Sequence, residues 1–357
     1  MARQWILNSQ EGFETSLKYQ ENVSIPSTDE LGLHDVLVKI QAASLNYREI
    51  VIAGPGGVNG PITPPIVPGC DGAGIVEAVG SSVRDFRPGD RVVTYFAPKL
   101  VESSGDDAQS SIADVSAMLG QGTDGTLRSR AVFSEAALVQ APKTLGPLPA
   151  STLTCTWLTA WNILFGLRGQ EAGPGTWILV QGTGGVSVAT LQLAAAAGIT
   201  VVATTSTEDK GNRLRSLGAA HTVNYRENSD WGKEARGLTP GGRGFDIVVD
   251  IGGDQTLPQS LAAVRVDGLV AVIGQVAEVG APVPLFAALL HTCIVRGLLG
   301  GSRAQLRELV RYIDEKGIEP VVDDVVFELA EAKDAYRRLK EKKHFAKVMI
   351  RIDHPDN

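Results

Sequence analysis

Cysteine is scarce in this chain. Only Cys70, Cys155 and Cys293 occur among 357 residues, widely spaced and odd in number. Such usage speaks against a disulfide framework and for a reducing compartment, with a cytoplasmic location as the expectation. An excess of basic charge is lacking too. Lys and Arg number 33 against 40 Asp and Glu, a formal net charge of −7, so neither nucleic acid nor an anionic membrane is an expected partner. No apolar run reaches the ~18 residues that a membrane-spanning helix requires. No basic stretch followed by a short apolar one opens the chain, as a secretion signal would. A G-x-S-x-G elbow is missing, which removes one common nucleophile arrangement. The five histidines are scattered singly.

What is present divides into two patterns. Residues 1 to about 150 carry short β-branched runs, Val36–Ile40, Gly74–Val79 and Arg91–Tyr95, punctuated by Gly and Pro clusters. Between Ala97 and Arg130 lies a polar Gly/Ser/Asp-rich segment, read as a long surface loop with a short helix near Ile112–Leu119. From about Thr156 to Gly300 strands and helices alternate, the signature of a doubly wound parallel sheet. Six strands are expected there, at Trp177–Val180, Val201–Thr205, His221–Tyr225, Phe245–Asp250, Gly268–Ile273 and Ile294–Leu299. The tail holds two amphipathic helices, Ala304–Lys316 and Ala330–Lys342, and a closing strand, Lys347–Arg351.

The most telling stretch is Trp177-Ile-Leu-Val-Gln-Gly182-Thr183-Gly184-Gly185-Val186-Ser187, an apolar strand entering a glycine turn and then a small-residue helix. A second strand follows, and Thr205 at its end lies 23 residues after Gly182. Glycines here permit a tight turn and let a pyrophosphate approach the helix N-terminus, the geometry of a dinucleotide-binding βαβ unit.

Seven segments in order carry a wider likeness: Ala43–Glu49, Pro68–Gly74, Phe86–Val92, Leu158–Trp161, Gln181–Val186, Leu217–Ala219 and His344–Val348. With them the chain resembles the medium-chain dehydrogenase/reductase superfamily, and within it the zinc-free branch of quinone and enoyl reductases. The resemblance implies an α/β protein. A GroES-like, mostly-β catalytic domain (1–155 and 301–357) would enclose a Rossmann domain (156–300) with a six-stranded parallel sheet, the active site lying in the cleft between them.

In the zinc-dependent members the metal is held by a Cys, a His and a Cys, with a neighbouring Glu. The matching positions here are Asn46, Cys70, Cys155 and Asp71. Since an amide is a poor zinc donor, no metal is expected. The structural zinc lobe of the family needs four close cysteines, and 97–130 has none.

The cofactor expected is NADP(H) rather than NAD(H). Thr205-Ser206-Thr207 stands where NAD-preferring folds carry an acid, and Lys210 and Arg213 follow to meet a 2′-phosphate. Gly182, Thr183, Gly184, Gly185 and Val186 should cradle the pyrophosphate. Tyr225, Gly252, Ile273, Gly274, Leu298 and Leu299 lie at strand ends facing the cofactor, and by resemblance Lys347 approaches the phosphates. Without a Lewis acid, hydride delivery to a conjugated double bond is the easier chemistry. Asn46 and Tyr47 are the candidate donors to the substrate carbonyl, and Thr159 the residue that positions the nicotinamide. Arg48 and Glu49 read as a structural ion pair. The expected reaction is reduction of a small quinone, enal, enone or enoyl thioester. An alcohol dehydrogenase or carbonyl reductase, with or without residual Cys-bound zinc, and a non-catalytic NADPH-binding protein are the alternatives. A homodimer is expected from the family, paired through the strand around Ile294–Leu299.

Overall fold

The computed structural model describes residues 1–276 and 280–353. The last residues of the expected tail, 354–357, lie outside the described residues. Two compact units emerge: Met1–Leu158 joined by the tail from Gly300 onward, and Thr159–Leu299.

The first unit begins with an antiparallel ribbon of β1 (Ala2–Leu7) and β2 (Leu17–Val23). Then come β3 (Asp35–Leu45), β4 (Asp71–Val79), β5 (Arg91–Thr94), β6 (Arg130–Ser134) and β7 (Leu138–Gln140). β3 is the long spine. It pairs antiparallel with β4 along one edge, while β6 pairs with its first half on the other. Its apolar positions Val36, Val38, Ile40, Ala42 and Leu45 are buried, so a register slip would move them off the core face.

The second unit is a parallel sheet of β8 (Trp177–Val180), β9 (Thr200–Thr205), β10 (His221–Asn224), β11 (Phe245–Asp250), β12 (Val264–Val272) and β13 (Ile294–Gly297). The spatial order is β10-β9-β8-β11-β12-β13, the 3-2-1-4-5-6 arrangement of dinucleotide-binding sheets. Leu179, Val202, Val223, Phe245, Val248 and Val270 pack with Trp231 and Leu261 in one buried cluster. Strands buried on both faces explain the unbroken apolar runs in the sequence.

The tail returns to the first unit. Helix Arg303–Lys316 opens on Ser302, whose hydroxyl accepts from the Gln305 amide, and closes on Gly317 in the left-handed region. It buries Leu306, Leu309, Val310 and Ile313. Helix Ala332–Lys340 buries Ala332, Ala335, Tyr336 and Leu339. β14 (Val326–Glu328) then pairs with β15 (Val348–Arg351), and β15 runs antiparallel to the second half of β3. Among the described residues, no helix is long and apolar enough to cross a membrane.

One expectation needs refining. Segment 97–130 carries the short helix expected near Ile112–Leu119, as a 3₁₀ run, Ile112–Ala117. It also holds helix Pro98–Ser104, and its second half buries Val115, Met118, Leu119 and Leu127. The glycines read as loop formers serve close approach instead, because a Cβ on Gly125 would sit 1.9 Å from the Gly69 carbonyl oxygen. The Gly125→Ala variant should therefore lose about 2–4 kcal/mol of stability, read as a lowered melting temperature.

Candidate active site and cofactor cradle

In the first unit a buried polar centre forms where the end of β3, the start of β4 and the start of β15 meet. Lys347, just before β15, is 2% exposed and Asp71 0%. The Lys347 ammonium donates to Leu45 O at 2.7 Å, Asn46 Oδ1 at 2.5 Å and Asp71 Oδ2 at 3.0 Å. Those three acceptors use up its three hydrogens. Ser44 Oγ donates to the same Asp71 oxygen at 2.8 Å.

Asn46 precedes helix Tyr47–Ala53. Its backbone N–H donates to Glu49 Oε2 at 2.7 Å, and its Nδ2 reaches Cys70 Sγ at 3.6 Å. With Oδ1 held by the ammonium, the amide turns its donor end toward Cys70. The Cys70 thiol lies 3.3 Å from Asp71 Oδ1 and contacts Cys155. Cys155 sits in a π-helical stretch, Leu153–Trp157, a backbone form concentrated at functional sites. Thr154 Oγ1 donates to Thr94 O and Thr94 Oγ1 to Cys70 O, both at 2.7 Å, so a threonine ladder ties the two cysteine-bearing segments.

Electrostatics follow from burial. The Cys70 thiol is pushed well up by its contact with Cys155, then by burial and by Asp71, so it is a neutral thiol. Burial also raises the Glu49 carboxyl, with Arg48 and Lys347 pulling the other way. Arg48 lies beside Cys70 and Cys155. Tyr47 is half-buried at the first turn of its helix. The expected cluster is thus only partly assembled within one unit. Asn46 and Tyr47 stand there with Cys70, Asp71 and Cys155, whereas Thr159 belongs to the second unit, where it is buried in helix Leu158–Phe165. Lys347, expected to approach the phosphates, directs its three hydrogens to Leu45, Asn46 and Asp71.

In the second unit the glycine turn joins β8 to helix Gly185–Ala196. Gly182 has φ 70°, and Gly184 precedes the helix without a side-chain cap. A Cβ on either would meet nothing within 4 Å, so open space fronts uncapped helix N–H groups, as a pyrophosphate needs. Thr183, Gly185 and Val186 are half-buried around it. Ser187 replaces the usual third glycine and is fully buried. Its hydroxyl donates to Gln181 O at 2.6 Å, which converts a close helix–strand contact into a hydrogen bond.

The parallel sheet brings the other candidates to the same edge. Thr205 ends β9 and donates to Thr207 O at 3.1 Å, and Tyr225 follows β10 with its amide on Thr205 O. Tyr225 is 41% exposed. Ser206 precedes Thr207, which caps the Glu208–Ser216 helix that carries Lys210. Gly252 follows β11, Ile273 and Gly274 follow β12, and Leu298 and Leu299 follow β13.

Sequence reasoning missed Asp250. This fully buried carboxylate ends β11 and accepts from Gln181 Nε2 at 3.2 Å, the Gly253 amide at 2.9 Å, Thr256 Oγ1 and Ser260 Oγ. It locks the turn after β8 to the one after β11. An acid closing an otherwise apolar strand, just before Gly252-Gly253, was the signal.

The profile of the alcohol dehydrogenase GroES-like domain matches residues 32–143, and that of the zinc-binding dehydrogenases matches 185–315. A zinc-type alcohol dehydrogenase-like protein of Schizosaccharomyces pombe is 39% identical over 358 residues, covering 99% of this chain and 100% of the relative. A crotonyl-CoA carboxylase/reductase of Cereibacter sphaeroides is 27% identical over 359 residues, covering 91% and 81%. Among solved structures, an NAD-dependent alcohol dehydrogenase is similar with a TM-score of 0.85 and 32% identity over 98% of this chain and 100% of its own.

Cutting Lys347 back to Met should leave Asp71 buried without its counter-charge, at a cost of about 3–5 kcal/mol. Urea denaturation should find much of that loss recovered when Asp71→Leu is added, because no unpaired carboxylate then remains.

Proposed function

The chain belongs to the medium-chain dehydrogenase/reductase superfamily and is an NAD(P)-dependent oxidoreductase; from that premise we propose that it reduces polarised carbon–carbon double bonds with NADPH and without zinc. The observation that carries this reading is the charge balance of the buried centre. Lys347 and Arg48 are two resident cations set against the carboxylates of Asp71 and Glu49. Zinc would need the Asn46 amide oxygen as a donor beside the two thiols. That oxygen is already taken by the ammonium. The donor set does not fit zinc.

The bound nicotinamide cofactor supplies hydride. The protein's own task is to hold a carbonyl oxygen whose negative charge grows as the conjugated carbon is reduced, and then to provide a proton. Asn46 Nδ2, aimed away from Lys347, is suited to donate to that oxygen. The Tyr47 phenol is the proton donor, and Thr159 is the residue assigned to position the nicotinamide. Crotonyl-CoA, which names one relative, is itself an α,β-unsaturated thioester. NADPH is favoured because β9 ends in Thr205 and Ser206 rather than an acid, and because Glu208, the nearest acid, is engaged by Arg215. A second reading, an alcohol dehydrogenase or carbonyl reductase, draws on the NAD-dependent alcohol dehydrogenase likeness. Cys70 and Cys155 lie side by side without a disulfide, which suits a reducing cytoplasm. For assembly we propose a homodimer. β13 is an edge strand of its sheet, and Leu285, Phe286, Leu289 and Leu290 beside it are 62–82% exposed, an apolar patch that calls for cover.

Chelator-treated protein given NADPH and an α,β-unsaturated aldehyde should yield the saturated aldehyde, identified by NMR. An allylic alcohol, or activity that vanishes with the chelator, would move the assignment to the carbonyl reductase reading. Sedimentation should find a dimer that Leu289→Asp with Leu290→Asp converts to monomer.

A further inference from the structure

Arg48 carries a buried N–H that has no oxygen acceptor and only the Cys70 thiol near it. Its Nη1 donates to Leu119 O at 3.0 Å and lies 3.6 Å from Glu49 Oε1, but Nη2 is buried with no hydrogen-bond partner. The neighbouring groups do not meet the need. Glu49 Oε2 is occupied by the Asn46 amide, and Oε1 is itself unpaired. The thiols beside the guanidinium are weak acceptors when protonated. An unsatisfied donor on a buried charged group is costly and rare, so it marks a place that a ligand atom fills. The side chain is held by Leu119, by Glu49 and by the turn that starts at Asn46, so its direction is fixed before any ligand arrives. Asn46, whose donor end meets Cys70 at 3.6 Å, borders the same two thiols from the other side.

We propose that Arg48 Nη2 binds the carbonyl oxygen of the substrate and stabilises the enolate or phenolate oxyanion formed when the conjugated double bond accepts hydride. This rests on the reading of the protein as a double-bond reductase and names the group that replaces the metal as electrophile. Hydride adds to the β-carbon, the C=C electron pair shifts toward the carbonyl, and the resulting negative charge rests on oxygen against the guanidinium. Subsequent protonation at carbon, or at oxygen for a quinone, completes a two-electron reduction with one hydride and one proton. A fixed donor of this kind acts most strongly where water is excluded.

The test uses the full-length protein with Arg48→Gln and Arg48→Lys. If the assignment is right, Arg48→Gln lowers kcat on an enone by about 10²–10³-fold while NADPH affinity holds, and Arg48→Lys regains part of the loss. A readout free of turnover is 4-nitrophenol bound to the NADP⁺-loaded protein, followed by absorbance. Wild type should favour the bound phenolate, and Arg48→Gln should shift its ionisation to higher pH. Unchanged kcat and unchanged nitrophenol ionisation in Arg48→Gln overturn the inference and leave the reductase reading intact. If wild type reduces no conjugated carbonyl yet ionises nitrophenol through Arg48, the reductase reading fails and the oxyanion site stands. If Arg48→Gln does not fold, the nitrophenol titration of Arg48→Lys decides: wild-type ionisation there, despite the displaced N–H, overturns the inference, and a shift to higher pH supports it.

Discussion

Two opposite charges, Lys347 and Asp71, are taken almost wholly out of water in the first unit, and much else follows from satisfying them. Desolvating such a pair costs several kcal/mol per ion, a loss offset only if each remaining lone pair and hydrogen finds a partner. The ammonium does so with a backbone carbonyl, an amide oxygen and the carboxylate, and the carboxylate draws in Ser44 as well. These partners come from both ends of the chain, with 276 residues separating Lys347 from Asp71. β15 can lie only beside β3, with Val348 opposite Leu45, if the lysine one residue earlier is to reach its acceptors. The split first unit, with the other unit inserted in sequence, is the topological consequence.

The sequence made the second unit almost fully legible, because its signals are local. The strands carry short apolar runs, each crossover helix begins near a Thr, Gly or Asp, and the glycine turn stands at the strand-to-helix junction that the fold requires. Ser187 fits that turn by an unanticipated route, through a hydrogen bond to Gln181 O instead of a bare glycine contact. Asp250 escaped notice since its partners, Gln181, Gly253, Thr256 and Ser260, are joined only by the sheet. In the first unit three inner strands, the closing strand and the tail helices were readable from periodicity, while β1, β2, β6, β7 and β14 were not. In segment 97–130 the short helix was legible and the burial was not, as the same Gly and Ser content serves an open loop or a backbone packed against Gly69. The partners of Lys347 were not legible either, because only the three-dimensional register of β15 brings it to Asn46 and Asp71.

A metal and a fixed guanidinium are not equivalent electrophiles, and the difference bears on which chemistry such a centre selects. A zinc ion exchanges ligands, binds an alcohol directly and lowers its pKa, so it serves both directions of alcohol–carbonyl interconversion. Side-chain cations already compensated by Asp71 and Glu49 offer less. They donate hydrogen bonds along set directions and cannot coordinate a hydroxyl oxygen. Their advantage lies with oxyanions whose charge is spread by conjugation, which need orientation more than strong polarisation. Asn46 fits the same logic. As a zinc ligand it would offer its oxygen, but with that oxygen bound to Lys347 it can offer only N–H. In the proposed reduction, the amide's orientation is therefore the point at which the charge arrangement of the first unit would favour conjugated acceptors over simple alcohols.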